Sequence, residues 1–184
     1  EMVLRMANAL DGIGVRKGDR VGIQLPNCPQ YLIAYYAALT LGAIVVNLNP
    51  AYTCEELTAI CSNTGLQTLF VLEEKTDVIQ SLCSQVSISR IIRTHPGQID
   101  QAPDGQEGNT PPGWYSFGTL LSCCPDTRRP RVEVDTQDPA VIQFTGGTTG
   151  IPKGVVLSHA NLVAAVMQVS PRMFSVLQFI PPER

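Results

Sequence analysis

Apolar positions along the chain alternate between two spacings. Val3, Met6, Ala7 and Leu10 recur at i, i+3, i+4 and i+7, which predicts an amphipathic helix stopped by Gly12 and Gly14. The next run, "RVGIQL", alternates Val21, Ile23 and Leu25 and predicts a short strand. A second helix follows, with Asn27 as its cap, an apolar stripe of Leu32, Tyr35, Tyr36 and Leu39, and Gly42 as its stop. "AIVVNL" is almost continuously apolar, as expected of a strand buried on both faces. Thr53 and Glu56 are spaced as a capping box for a third helix that carries Leu57, Ile60 and Cys61 and closes at Gly65. "QTLFVL" reads as a strand, "DVIQSLCSQ" as a helix and "RIIRT" as a strand. Strand–helix–strand units with short connections predict an α/β fold, a mostly parallel sheet covered by helices.

The rhythm breaks at residues 95–113, where four prolines and four glycines predict a long surface loop. Beyond it, "YSFGTLL" reads as a short helix and "RVEVDTQDP" leads into the strand "AVIQF". "GVVLS" is another strand-like run, and "HANLVAAVMQ" is helical, with Ser158 as N-cap and Leu157 and Leu162 placed as a hydrophobic staple.

Composition narrows the functional classes. With 44% hydrophobic and 16% charged residues, the 184-residue chain reads as globular, a single domain or part of a larger one. A net charge of -3 argues against a nucleic-acid surface, and the cluster Arg128, Arg129 and Arg131 reads as a solvated loop. The six cysteines form no CxxC pair and have two histidines to join them, so a zinc site is not expected, and they read as reduced thiols of a cytoplasmic protein. No apolar run reaches the length of a membrane span, which leaves only peripheral contact with a membrane open. His159 lacks a GxSxG elbow and a third partner, so it reads as a packing or capping residue rather than part of a hydrolase triad. His95 reads as solvated, and Tyr31, Tyr35 and Tyr36 as core and surface of a helix rather than a stacking platform.

The stretch between the last two strands is different. "FTGGTTGIPKG", residues 144–154, holds four glycines, three threonines and a lysine and has almost nothing to bury. Gly146, Gly147 and Gly150 permit close backbone approach to an anion. Thr145, Thr148 and Thr149 supply hydroxyl donors, and Thr148 is the candidate contact for a magnesium ion. Lys153 adds a mobile positive charge, and Pro152 stiffens the turn before it. A Walker A loop does not fit, because two residues separate Gly150 from Lys153, Gly154 follows the lysine and a strand comes next. The segment is therefore expected to join two strands and to hold phosphate with little help from a helix N-terminus.

"FTGGTTGIPKGVVLSHANL" resembles the phosphate-binding motif of the AMP-forming adenylation superfamily, which includes acyl-CoA synthetases, luciferases and carrier-protein adenylation domains. "GVRKGDRVGIQLPNCPQYLIAYYAALTLGAIVVNLNPAYTCEEL" is similar to the opening of bacterial acyl-CoA ligases. Within the superfamily, "IQFTGGTTG" points to long- or medium-chain fatty acyl-CoA ligases, since coumarate-type ligases more often carry Ser-Ser-Gly or Thr-Ser-Gly there. The resemblance implies that residues 1–184 are part of a large N-terminal AMP-binding domain, with 144–154 as its phosphate-binding loop. It implies ATP, Mg2+ and coenzyme A as reactants, and a carboxylic acid, a fatty acid by this motif, as the group activated. The chain starts inside a helical pattern and stops at "FIPPER", so it reads as a fragment lacking the C-terminal domain. The family's adenine, ribose and acyl sites and its catalytic lysine are expected beyond Arg184, leaving the fragment inactive by itself. An adenylation domain that loads a carrier protein, and a non-catalytic nucleotide-binding remnant, are the alternatives. Oligomeric state is not encoded in any motif here.

Overall fold

In a computed structural model, residues 1–97, 99, 111–145 and 153–177 are described. The helix α1 (Met2–Gly12) buries Met6, Ala7, Ala9 and Leu10 and leads into strand β1 (Arg20–Gln24). Next come α2 (Pro29–Thr40) and β2 (Ile44–Asn47), then α3 (Cys54–Thr64) and β3 (Thr68–Leu72). A 3₁₀ turn at Glu73–Lys75 precedes α4 (Thr76–Cys83) and β4 (Arg90–Thr94). The chain continues through β5 (Trp114–Ser116), α5 (Phe117–Cys123), β6 (Pro139–Thr145), β7 (Lys153–Ser158) and α6 (His159–Leu177).

The described strands form one seven-stranded sheet in the order β5-β4-β3-β1-β2-β6-β7. Every neighbouring pair is parallel except β6 and β7. Side-chain alternation divides the interior in two. Val21, Ile23, Val45, Phe70 and Ile92 join α1, α2 and α5 on one face, while Val46, Leu69, Val71 and Ile91 join α3 and α4 on the other. Strands apolar on both sides are what a helix-sandwiched parallel sheet requires. The helix-covered parallel sheet read from the sequence is the observed one.

Local chemistry sets the helix ends. Thr53 and Glu56 form the expected capping box: the Glu56 N–H donates to Thr53 Oγ1 at 3.3 Å, and the Thr53 N–H donates to Glu56 Oε2 at 2.8 Å. At its far end Gly65 takes φ 61°, and Arg20 donates from Nε to the Thr64 carbonyl and from Nη2 to the Gly65 carbonyl, both at 2.8 Å. A guanidinium there satisfies carbonyls left open at the end of the helix and complements its dipole.

Two expectations for α2 fail. Asn27 is not its cap; Cys28 holds that place with no side-chain hydrogen bond, and Pro29 starts the helix. Pro29 fixes φ where no intrahelical N–H partner exists, so the start needs no polar cap. The buried face also differs in part from the one predicted, since of that stripe only Tyr35 and Leu39 pack against the main core, half-buried. Gln30, Ile33, Ala34, Ala37 and Ala38 point inward, whereas Leu32 and Tyr36 are 55% and 53% exposed. The alanines let α2 lie close to α1 and the sheet, which the bulkier stripe would prevent. Tyr115 and Ser116, read as the start of a short helix, belong instead to a short edge strand, Trp114–Ser116, and the helix begins at Phe117 with Ser116 as its cap. The loop expected at 95–113 lies largely outside the described residues; its start is tied down by Gln30, whose Nε2 donates to the carbonyls of His95 (2.8 Å) and Pro96 (3.2 Å).

Candidate phosphate-binding site

The glycine- and threonine-rich segment joins two strands, as its flanking patterns predict. β6 and β7 pair antiparallel, with Thr145 opposite Lys153 and Phe144 opposite Gly154. β6 runs parallel to β2, so the hairpin emerges at the carboxyl-terminal edge of the parallel strands. In open α/β sheets that edge is where ligands are bound. Gly146, Gly147, Thr148, Thr149 and Gly150 lie outside the described residues, and the magnesium contact assigned to Thr148 lies there with them. Of the candidate set, the backbone of Thr145 and all of Lys153 are described, facing each other across the base of the hairpin, with Lys153 exposed.

Gly154 has a steric reason to be glycine. A Cβ there would sit 3.0 Å from Ile142 Cγ2 and 3.2 Å from the Phe144 ring. Phe144 therefore packs over the backbone of its cross-strand partner, one rung before the last described pair, Thr145 and Lys153.

A polar chain underlies the same place. Tyr31 on the first turn of α2 donates from its hydroxyl to Asn47 Oδ1 at 2.8 Å. Asn47 donates from Nδ2 to Gln143 Oε1 at 2.8 Å, and Gln143 donates from Nε2 to the Phe144 carbonyl at 3.4 Å. Burial raises the Tyr31 pKa, partly opposed by the bond to Asn47, so the hydroxyl keeps its proton at neutral pH. The sequence reading missed Asn47 and Gln143, although a carboxamide near the end of each apolar run, "VVNL" and "VIQF", was a visible signal.

The start of α6 is occupied by the protein itself. The His159 N–H donates to the Asp138 carbonyl at 3.1 Å and the Ala160 N–H to the Thr136 carbonyl at 2.8 Å. Ser158 acts as predicted: its Oγ accepts from the Asn161 N–H at 3.3 Å, and its own N–H donates to Asn161 Oδ1 at 2.9 Å. Leu157 and Leu162 both pack against the main core. Because Ser158 pairs with Pro139, this helix end sits at the amino end of β6, away from the hairpin. The dipole of α6 is thus not aimed at the described base of the hairpin. α6 itself runs to Leu177, past Pro171 and beyond the predicted run.

Near that amino end a cleft of about 280 Å³ is lined by Tyr36, Leu39, Arg129, Asp135, Thr136 and His159 among others. It is remote from the hairpin and shares no residue with it. His159 packs there rather than joining a triad; its pKa is lowered by burial, with Asp138 pulling it up and Lys17 pushing it down. Lys17 and Asp138 form a 2.6 Å ion pair beside it. No described helix is long and apolar enough to cross a membrane.

Comparison with known proteins gives matches over most of the chain. A family model described as "AMP-binding enzyme" matches residues 1–181. The chain is 32% identical over 171 residues to a long-chain-fatty-acid–CoA ligase of Salmonella typhimurium, covering 86% of this chain and 30% of that protein. It is 31% identical to 4-coumarate–CoA ligase 2 of Oryza sativa, covering 89% of this chain and 29% of the relative. Among solved structures, a long-chain-fatty-acid–CoA ligase of Archaeoglobus fulgidus superposes with a TM-score of 0.76 at 30% identity, covering 92% of this chain and 31% of that one. The chain thus spans about a third of the length of the relatives it matches.

Proposed function

The chain belongs to the AMP-binding enzyme family, and from that premise we propose that it supplies the polyphosphate grip of an ATP-dependent acid–thiol ligase. In the reaction, a carboxylate oxygen attacks the α-phosphorus of ATP, giving an acyl-adenylate and releasing pyrophosphate. The thiol of coenzyme A then attacks the acyl carbonyl, and AMP departs. The proposed acid is a fatty acid, the proposed setting is the cytoplasm, and Mg2+ accompanies the triphosphate.

This chain's part is to hold the β- and γ-phosphates. Backbone N–H groups of Gly146, Gly147 and Gly150 and the hydroxyls of Thr145, Thr148 and Thr149 donate to phosphate oxygens. Lys153 adds a charge-assisted bond as the pyrophosphate accumulates charge in leaving. The contribution is orientation and electrostatic stabilisation, not proton transfer. One observation carries the reading: a threonine- and glycine-rich connection at the carboxyl edge of a parallel sheet, with Lys153 opposite Thr145 at its base. The acyl, adenine and ribose sites are assigned to family sequence outside these residues. The 184 residues are accordingly proposed to bind ATP without turning it over.

Titration calorimetry of MgATP into the chain tests this. Replacing Lys153 by Ala removes a charge-assisted interaction worth about 1.5–3 kcal/mol, so affinity falls about ten- to a hundredfold. Equal affinity in the two proteins would remove the support for the assignment. In a polypeptide carrying this segment with the rest of the family's length, fatty-acid-dependent ATP–pyrophosphate exchange falls with the same substitution. Exchange driven only by another acid class would overturn the fatty-acid assignment.

A further inference from the structure

Asn47 and Gln143 are the last register pair between β2 and β6. Past this rung β6 continues through Phe144 and Thr145, paired in the register with β7 alone. A strand leaving its neighbour at this point gains freedom just where the phosphate-holding segment departs. The side chains of the last rung counter that freedom. Their carboxamides join at 2.8 Å across the two strands, in addition to the backbone ladder.

The order of donors gives the pair a direction. Tyr31 donates to Asn47 Oδ1, which turns the Asn47 NH₂ toward Gln143 Oε1; that acceptance turns the Gln143 NH₂ toward the Phe144 carbonyl. Each orientation depends on the one before, and the sequence ends one residue short of Thr145. Tyr31 belongs to α2, which packs on α1 and the main core, and is itself half-buried against that core, so the series is anchored there.

We propose that Tyr31, Asn47 and Gln143 form a positioning relay that sets the base of the β6–β7 hairpin for polyphosphate. The proposal rests on the reading of that hairpin as the phosphate grip. None of the three need touch nucleotide. They act through Phe144 and Thr145, so their loss weakens phosphate binding more than it weakens the fold.

The test is a double-mutant cycle read by titration calorimetry on the 184-residue chain, with Mg-tripolyphosphate and MgATP as probes and thermal melting in parallel. Tyr31→Phe removes one hydroxyl and is expected to weaken both probes about two- to tenfold, with little change in melting temperature. Asn47→Leu removes the middle of the relay and weakens them at least as much. Tyr31→Phe placed in the Asn47→Leu background then has no further effect, because the relay is already cut. Where Asn47→Leu fails to fold, Gln143→Met takes its place in the cycle. Additive losses, or a lowered melting temperature with unchanged affinity, overturn the relay. If wild type binds, Lys153→Ala does not and the three relay variants match wild type, the relay falls and the phosphate grip stands. If wild type binds neither probe, the grip falls and the relay with it.

Discussion

At the scale of single residues, polar side chains are differently placed at the two edges of the sheet. Lys153 and Thr145 stand at the carboxyl edge, in register across a hairpin base. His159 stands at the amino edge, half-buried, with Nε2 lacking a partner among the described residues and the Lys17–Asp138 ion pair beside it. Burial lowers its folded-state pKa below that of the unfolded chain. The unfolded state therefore takes up a proton first as pH falls, and stability drops below about pH 6.5, the unperturbed histidine value, until the folded-state pKa is reached. Above about 6.5 this contribution is fully present. Thermal unfolding of wild type and His159→Gln between pH 8 and 5 checks it: wild type should lose more melting temperature over the window than the variant, and identical slopes would rule the histidine out. The Asp138 carboxyl, held low by the Lys17 bond, adds its own loss only at more acidic pH. His159 was legible from the sequence as a packing residue, because it lacked partners for catalysis. Asn47 and Gln143 were not, since a relay depends on which strands become neighbours, and β2 and β6 are separated by about half the chain.

At the scale of elements, legibility follows how many independent signals agree. α3 carries a capping box, an apolar stripe and a terminal glycine, and all three occur as read. α2 offers a proline, a glycine stop and apolar residues on nearly every side, so its period does not select a face. Close packing decides instead, and it chooses Ala34, Ala37 and Ala38. The edge strand Trp114–Ser116 is too short to show alternation. The strong signals of α3 also make its cap separable from the rest of the fold. Thr53→Ala deletes the acceptor for the Glu56 N–H and should cost about 1 kcal/mol. Urea unfolding should show a lower midpoint with an unchanged slope, and an unaltered midpoint would mean that water replaces the hydroxyl at no cost.

For the molecule as a whole, the controlling feature is that the central strands of the sheet are buried on both faces and β1 lies in the middle, between β3 and β2. Its residues alternate between the two cores: Val21 and Ile23 face α1 and α2, and Gly22 faces the α3–α4 side. A Cβ at Gly22 would meet Leu66, Leu69 and Leu48, all buried members of that second core. Glycine here serves neither a turn nor a positive φ; it makes room for three leucines to meet over the strand. Gly22→Ala thus overpacks the α3–α4 core, at an expected cost of about 1–3 kcal/mol. The hairpin hangs from β6, two strands away on the same sheet, so the test has two readouts. Denaturant unfolding should report the loss of stability, while MgATP affinity under native conditions should hold within about twofold, because distant sites in a rigid sheet are nearly independent. A variant as stable as wild type would show that the leucines repack without strain. An affinity that falls along with the stability would show instead that strain at the centre of the sheet reaches the carboxyl edge of β6.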